Sequence, residues 1–398
     1  MKTIALYDFN WHGHHPTYLD AFASSLLKNN HRVVLFCQFP EIIIEKIEKH
    51  FPSDKVKNIQ GFKLDYPQGN GRVSTALFQS LLNWQQCSRD LSNFETKTSL
   101  KIDLVFLLKL EDYCRGFIPL ALFENIFKYK WAGLFIHLDI PKKMSLQIKH
   151  QLKQCLTNLK VLNSKTCRLV GTLQEDCLKE FTSRANTDVI HFPEITYEER
   201  VGESSLINSI RQKARGRKII SLPGLLERRK GVFTFIEMAK RCQDKDWFFV
   251  CCGKADNIWT DRDDLAKLKE IIRNYKSDNC FFHLERIDEA EFNALINISD
   301  MIFAVYEDFP PYSSNLLTKT TLFHKPILVN SGSLIASRVR KFNIGAATPS
   351  GDINSYITST EKILTQGLNN PGFDDYFNRN SLHYFNNFIN KLITDALK

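Results

Sequence analysis

Residues 218–242 read KIISLPGLLERRKGVFTFIEMAKRC, and this stretch decides the fold. An apolar run ends at Gly224, a loop rich in cations follows, and a helical pattern begins after the loop. A strand, a glycine turn and a helix in this order are the parts of a parallel α/β sheet. The next apolar run, WFFVCCG at residues 247–253, predicts the neighbouring strand.

The same alternation continues in both directions. Further strand-like runs are KTIALYDF, RVVLFC, DLVFLL, GLFIHL, CRLVGTL, DVIHFP, NCFFHLE, DMIFAVY and PILVN. Helical patterns lie between them. Near-continuous Val, Ile, Leu and Phe are typical of parallel strands that helices cover on both faces. The sequence therefore predicts an α/β protein with two Rossmann-like, doubly wound domains facing a central cleft.

The alternation lapses in a polar and charged segment around residues 194–217. We interpret residues 196–217 as a hinge between an N-terminal domain, 1–195, and a C-terminal domain, 218–377. The last stretch, residues 378–398, is aromatic and helical. We expect it to pack back on the N-terminal domain.

The composition is that of an ordinary globular protein. The 398 residues are 43% hydrophobic and 24% charged, enough for two cores. No apolar run approaches the length of a membrane helix, and the start, MKTIALYDFN, does not read as a signal peptide. We therefore expect a cytoplasmic protein. The ten cysteines form no C-x-x-C pair, and we interpret them as reduced core residues.

The net charge of +9 is spread along the chain. No basic block stands out, which argues against a nucleic-acid partner. A mildly basic surface favours phosphate-bearing ligands and anionic membrane faces, so peripheral membrane contact stays open. A solvated surface without such a role is an equally good interpretation.

Chemically distinctive residues follow several predicted strands. Ligands of open parallel sheets bind at the carboxyl ends of strands, where helix N-termini offer free N–H groups. The turns at these ends carry Gly13 with His12, His14 and His15; His137 with Asp139; Gly224 with Arg228, Arg229, Lys230 and Gly231; and Glu307 with Pro310, Pro311, Ser313 and Ser314. Each turn taken alone is explained as an ordinary capped turn. Their shared position favours a ligand site.

The chemistry of these turns suits phosphate better than metal. Glycine and cations at the start of a helix, as in residues 224–231, are typical of an anion site. Ser313 and Ser314 are good N-cap residues for the helix that follows them. The histidines near Gly13 have no Cys or carboxylate partners at a spacing that metal sites use.

Over nearly its whole length the sequence resembles the GT-B fold glycosyltransferases, in particular the large retaining group that uses nucleotide sugars. The segments that carry the resemblance keep the order of that family: GHHPTYLDAFASSLLKNNHRVVLFC, GLFIHLD, LVGTLQEDCLKEF, SLPGLLERRKG, FFVCCGKAD, FHLERIDEAEFNALINISDMIFAVYEDF and HKPILVNSGSLIASRVRKFNIGAATPSGD. The resemblance implies that the N-terminal domain takes the acceptor and that the C-terminal domain binds the nucleotide sugar.

The resemblance also implies roles for single residues. The implied catalytic residues are His137, near the reacting face of the sugar, and Glu307, which faces the transferred sugar. The implied donor-binding residues are Gly13, Gly224, Arg229, Lys230, Ser313, Ser314 and Asn315. Among these, Lys230 matches the lysine that neutralises the donor diphosphate, and Gly13 matches the loop at the domain cleft.

The sequence departs from the family pattern at three places. Leu225 stands where the family has an arginine five positions before the lysine, and Arg228 or Arg229 is the expected substitute. Asn315 stands where a second glutamate usually holds the ribose hydroxyls. A Pro-Pro pair, followed by two serines, replaces the glycine-rich turn between the two acids, so hydroxyls replace backbone donors to phosphate.

The implied reaction is transfer of a sugar from a UDP- or GDP-sugar to a glycan, lipid-linked or small-molecule acceptor, with retention of configuration. The resemblance implies no metal and no further cofactor, since Lys230 and a helix end stabilise the departing diphosphate. Two alternatives stay open. One is a degenerate GT-B protein that binds a nucleotide or glycan without transfer, and the other is a sugar-nucleotide epimerase.

Overall fold

The computed structural model describes residues 1–11, 15–65, 73–114, 118–136, 159–196, 201–256, 260–307 and 314–397. The chain divides into two compact units by its internal contacts. The first unit is Met1–Pro193 with Leu382–Lys398, and the second is Glu194–Ser381.

A parallel sheet of seven described strands forms the centre of the first unit. Strands β1 to β7 are Thr3–Tyr7, Arg32–Cys37, Ile59–Lys63, Leu104–Leu107, Trp131–Phe135, Cys167–Thr172 and Asp188–His191. Their order across the sheet is β3-β2-β1-β4-β5-β6-β7. The chain winds outward in one direction from β1 and in the other from β4, so the topological switch point lies between these two strands.

Helices accompany these strands along the chain. The helices α1 to α6 are His15–Lys28, Pro40–Glu48, Ser53–Val56, Val73–Thr98, Leu120–Ile126 and Leu178–Arg184, and short 3-10 turns lie at Leu110–Tyr113, Leu159–Asn163 and Glu175–Cys177. The C-terminal helix, Leu382–Leu397, also belongs to this unit and packs on α1. There the rings of Phe22 and Phe385 meet edge to face, with their centroids 5.1 Å apart.

The second unit is built around a parallel sheet of six described strands. Strands β8 to β13 are Lys218–Pro223, Trp247–Cys252, Cys280–His283, Met301–Ala304, Ile327–Asn330 and Gly345–Thr348. Their order is β10-β9-β8-β11-β12-β13, which places the switch point between β8 and β11.

The helices of the second unit are α7 to α14: Ser205–Ala214, Val232–Arg241, Arg262–Asn274, Glu289–Ile298, Asn315–Leu322, Leu334–Phe342, Ile353–Gln366 and Phe373–Asn380. A 3-10 turn, Arg228–Lys230, precedes α8. Helix α8 covers the sheet through Phe235, whose ring lies 5.0 Å from that of Phe303 and 5.4 Å from that of Phe249. Two doubly wound parallel sheets confirm the predicted fold class.

Part of the segment that we interpreted as a hinge is helical. Helix α7 begins after Ser204, whose side chain accepts a hydrogen bond from the N–H of Ile207. Its apolar residues, Ile207, Ile210 and Ala214, pack with Phe248 of β9 in one core cluster. The sequence of this segment resembles that of a linker because only this narrow face of the helix is apolar. Residues 197–200 lie outside the described part of the chain.

Candidate functional site

Two loops meet at the switch point of the second sheet. One runs from β8 to α8, and the other leaves β11. Gly231, with φ of +77°, lies at the contact: a Cβ atom there would sit 2.1 Å from the carbonyl oxygen of Val305. The N–H of Glu307 donates a hydrogen bond of 2.9 Å to the carbonyl oxygen of Arg229. The backbone therefore joins the cationic loop to the acid that ends the neighbouring strand.

Gly224 serves a second close approach, between the ends of β8 and β9. Its φ is +105°, and its N–H donates to the carbonyl of Cys252 at 3.0 Å. A Cβ atom on the facing glycine, Gly253, would lie 1.8 Å from the carbonyl oxygen of Gly224. A side chain on Gly253 is excluded here, so the two strand ends pack backbone against backbone.

The three cations of the loop have different surroundings. Arg228 forms a two-pronged ion pair with Asp264, at the start of α9, and its guanidinium lies 4.9 Å from the ring of Phe233. Hydrogen bonds from Arg228 hold the pKa of the Asp264 carboxyl below its usual value. Arg229 pairs with Glu227. Arg228 is thus directed toward α9, which does not favour it as the substitute for the missing arginine.

Lys230 has a different position. Its ammonium nitrogen lies 3.9 Å from the ring centroid of Tyr306, the residue just before Glu307. This contact is within the range of a cation–π interaction. The lysine charge is therefore held at the carboxyl end of β11, where a phosphate at the switch point would meet it.

Glu307 is partly buried, and its carboxylate accepts a hydrogen bond from Thr234 Oγ1 in the first turn of α8. A helix N-terminus favours a nearby negative charge. The backbone contact with Arg229 and the side-chain contact with Thr234 hold Glu307 from two sides. A carboxylate placed in this way accepts hydrogen bonds from ligand hydroxyl groups.

The N-terminus of α11 offers a further set of groups. Ser314 occupies the N-cap position with extended backbone, but its side chain caps no helix N–H; its Oγ lies 3.4 Å from the hydroxyl of Tyr306. Asn315 is the first residue of α11. Its Oδ1 atom is buried and has no hydrogen-bond partner among the described residues. An unpaired acceptor of this kind is costly unless a ligand or another group donates to it.

A buried hydrogen-bond network holds the loop that follows β11. Asn330, at the end of β12, donates from Nδ2 to the carbonyl of Tyr306 at 2.7 Å and accepts from the hydroxyl of Tyr356 at 2.7 Å. The same hydroxyl accepts from the N–H of Gly351 at 2.8 Å. Burial raises the pKa of Tyr356, and the charge of Glu307 adds to the shift.

Sequence reasoning did not identify Thr234, Asn330 or Tyr356. For Asn330 the sequence did contain a signal: it is the polar residue that ends the apolar run ILVN, and a buried amide at a strand end needs hydrogen-bond partners. Of the residues that it did identify, Gly224, Arg229, Lys230 and Glu307 come together at one switch point. Ser314 and Asn315 follow on the connection from β11 to α11.

Three of the predicted residues, Gly13, His137 and Ser313, lie outside the described residues, as do Pro310 and Pro311. Their roles stay predictions. Within the described ranges, no group of three His, Cys, Asp or Glu side chains is placed to hold a metal ion. Among the described helices, none combines the length and the apolar character that a membrane crossing requires.

The two doubly wound parallel sheets define the GT-B class of fold. A glycosyltransferase from Rickettsia africae is similar in structure, with a TM-score of 0.66, 14% identity, and 100% of this chain and 99% of that chain covered. Sucrose-phosphate synthase from Thermosynechococcus elongatus has a TM-score of 0.67 and 13% identity, and the match covers 99% of this chain and 98% of that chain. Anabaena HepE in complex with UDP has a TM-score of 0.65 and 15% identity, and the match covers 99% of this chain and 100% of that chain.

Neither a protein-family model nor a curated protein matches the sequence. The likeness to solved structures extends over the whole chain, and at this level of identity it establishes the GT-B fold.

Proposed function

We propose that this protein is a glycosyltransferase that moves a sugar from a nucleoside-diphosphate donor, a UDP-sugar, to a hydroxyl group of an acceptor. The fold supports the class of reaction. The choice of uridine is supported by Anabaena HepE, a structural neighbour that has been solved with UDP and with UDP-glucose.

The observation that carries the proposal is the junction of two loops at the β8–β11 switch point. Phosphate-binding chemistry, in Gly224 and Lys230, and a sugar-binding carboxylate, Glu307, belong to different strand–helix connections. The hydrogen bond of 2.9 Å between Glu307 and Arg229 links the two connections directly. A donor needs both kinds of group close together, because its diphosphate and its sugar are covalently joined.

The diphosphate, the ribose and the transferred sugar of the donor then each have a partner in the second unit. Lys230 and the N-terminus of α11 bind the diphosphate. Asn315, whose buried Oδ1 has no hydrogen-bond partner in the described part of the chain, accepts a hydrogen bond from a ribose hydroxyl. Glu307 accepts hydrogen bonds from the sugar hydroxyls and orients the anomeric carbon.

The bond that breaks joins the anomeric carbon to a diphosphate oxygen, so negative charge develops on the diphosphate. Lys230 and the helix end stabilise that charge more strongly in the transition state than in the bound donor. Retention of configuration, independence of added metal, and the roles of His137, Gly13 and Ser313 are finer parts of the proposal. They rest on the sequence resemblance.

The test is release of nucleoside diphosphate from UDP-glucose, UDP-galactose and GDP-mannose, each with and without D-glucose or maltose as acceptor. Acceptor-dependent release supports transfer. Binding of UDP by calorimetry without any release supports the alternative of a nucleotide-binding protein. Release that needs no acceptor and yields free sugar supports an epimerase. The anomeric coupling constant of the product and the rate in EDTA test retention and metal independence.

A further inference from the structure

A single peptide unit joins two residues of the candidate site. It links Tyr306, whose ring centroid lies 3.9 Å from the ammonium nitrogen of Lys230, to Glu307, the proposed sugar-binding acid. The N–H of this unit belongs to Glu307 and donates to the carbonyl oxygen of Arg229 at 2.9 Å. The carbonyl belongs to Tyr306 and accepts from Asn330 Nδ2 at 2.7 Å. Because a peptide unit is planar, hydrogen bonds at both of its polar groups fix its orientation.

The hydrogen bonds beyond Asn330 have a defined direction. The N–H of Gly351 can only donate, and it donates to the hydroxyl oxygen of Tyr356 at 2.8 Å. The hydroxyl of Tyr356 in turn donates its proton to Asn330 Oδ1 at 2.7 Å. With Oδ1 engaged in this way, the amide of Asn330 presents Nδ2 to the carbonyl oxygen of Tyr306. Gly351 and Tyr356 therefore determine which end of the amide meets the peptide unit.

This relay of hydrogen bonds is buried in the second unit. Asn330 is 8% exposed and Tyr356 is 0% exposed. Asn330 ends strand β12, and Tyr356 lies in helix α13. In a buried relay, a polar group that loses its partner costs more than the hydrogen bond itself contributes. The orientation of the peptide unit after β11 is thus tied to two regular elements of the unit.

We propose that Asn330 is a positioning residue for the transfer reaction: its amide, oriented by Tyr356, holds the peptide unit between Tyr306 and Glu307 so that the Glu307 carboxylate meets the transferred sugar. The inference rests on the proposed function, and it adds to the same site a residue that acts through Glu307. Displacing a contacting group by about 1 Å lowers turnover by up to about 100-fold, so such a residue has a measurable effect on rate.

Asn330→Asp tests the direction of the amide with almost no change of shape. A carboxylate has no hydrogen to donate, so it opposes the carbonyl oxygen of Tyr306 with a second acceptor. With the donor and acceptor of the panel above that the wild-type protein turns over, we expect kcat to fall at least about tenfold. The dissociation constant for UDP, measured by calorimetry, should rise by a smaller factor, because Lys230 and the N-terminus of α11 do not depend on this carbonyl.

The second unit contains a closely matched control in Asn279. It is 2% exposed, accepts from the hydroxyl of Tyr275 at 2.8 Å, and donates from Nδ2 to the carbonyl oxygen of Ala239 at 2.8 Å. The same kind of relay thus lies directly before β10, at the edge of the sheet opposite to the candidate site. Asn279→Asp makes the same chemical change, so we expect a comparable fall in Tm with kcat within about twofold of the wild type.

Tyr356→Phe tests the relay when Asn330→Asp does not fold. It removes the hydroxyl that orients the amide and keeps the ring, so the amide retains its donor but loses its fixed direction. We expect a fall in kcat that is smaller than that of Asn330→Asp, whereas Tyr275→Phe, the matched control, should leave kcat unchanged. Equal kcat values in the two phenylalanine variants contradict the orienting role of Tyr356.

A double-mutant cycle separates positioning from a general structural role. If Asn330 acts through Glu307, the double variant Asn330→Asp/Glu307→Gln should turn over no more slowly than Glu307→Gln alone. A residue that only stabilises the fold would lower kcat by the same factor in both backgrounds. Multiplicative losses in the double variant therefore overturn the inference.

Hydrogen exchange provides a readout that does not need activity. The amide of Glu307 should exchange about tenfold faster in Asn330→Asp than in Asn279→Asp, since the loss of one hydrogen bond releases the peptide unit. Equal exchange in the two variants refutes the hold of Asn330 on that unit. Transfer by the wild-type protein with equal kcat in Asn330→Asp and Asn279→Asp refutes this inference alone. No transfer from any donor of the panel refutes the proposed function, and with it the role of Asn330 in turnover.

Discussion

Replacing Lys230 with methionine removes the charge at the second switch point while keeping an unbranched side chain. The ammonium group lies 3.9 Å from the ring centroid of Tyr306, and a thioether also packs favourably against an aromatic ring. Lys230→Met therefore changes electrostatics more than packing, which makes it a cleaner probe than alanine.

The expected magnitude follows from the kind of contact that is lost. A hydrogen bond from an ammonium group to a phosphate contributes about 1.5–3 kcal/mol. With about 1.4 kcal/mol for each factor of ten, the dissociation constant for UDP should rise about 10- to 150-fold. Loss of the cation–π contact costs about 0.5–1 kcal/mol of folding stability at a partly exposed site, which a small fall in Tm would report.

The assay is calorimetric titration with UDP at low and at moderate ionic strength, because screening weakens a charge contact to an exposed ligand. Two controls are available. Arg228→Ala removes a cation that is paired with Asp264, and Lys240→Ala removes an exposed lysine at the other end of α8; both should leave UDP affinity within about twofold. If Lys230→Met also stays within that limit, the phosphate does not bind beside Lys230.

Three further substitutions test other parts of the site. Glu307→Gln should lower kcat strongly and leave the UDP dissociation constant nearly unchanged, because the carboxylate contacts the sugar and not the nucleotide; an equal rise in the dissociation constant would place Glu307 on the nucleotide. Asn315→Ala should weaken UDP about fivefold to tenfold by removing one ribose contact, whereas UMP and UDP weakened by different factors would place Asn315 on the β-phosphate. Gly231→Ala should lower Tm and abolish UDP binding, since its Cβ would lie 2.1 Å from the carbonyl oxygen of Val305 at a φ of +77°; an unchanged Tm by calorimetry contradicts this.

The fold was predictable because it depends on patterns that are local in the sequence. A strand with helices on both faces needs apolar residues at every position, and Trp247–Cys252 is buried throughout. The short glycine turns were predictable for a similar reason, since Gly224 and Gly231 both adopt positive φ. Such features need no knowledge of which distant residues become neighbours.

The use of each cation was not predictable, because it depends on partners far away in the sequence. The resemblance assigned Lys230 to the diphosphate, but it left Arg228 and Arg229 as equal candidates for the missing arginine. Arg228 forms an ion pair with Asp264, 36 positions later in the sequence, so its guanidinium is directed away from the strand ends. Ser314 shows the same limit: its residue type and position predicted a capping hydroxyl, but the side chain lies near the hydroxyl of Tyr306 instead.

These partners change how the site can hold a diphosphate. Leu225 stands where the resemblance expects an arginine, and Arg228 is engaged with Asp264, so the positive charge at the end of β11 comes mainly from Lys230. One lysine cannot balance a diphosphate. The N-terminus of α11 adds the equivalent of about half a charge, together with N–H groups that have no partner within the helix. Because this contribution comes from the backbone, no substitution of a single cation removes it. The UDP affinity that remains in Lys230→Met should therefore come from the helix end. This remaining affinity should depend less on salt concentration than the affinity that the substitution removes.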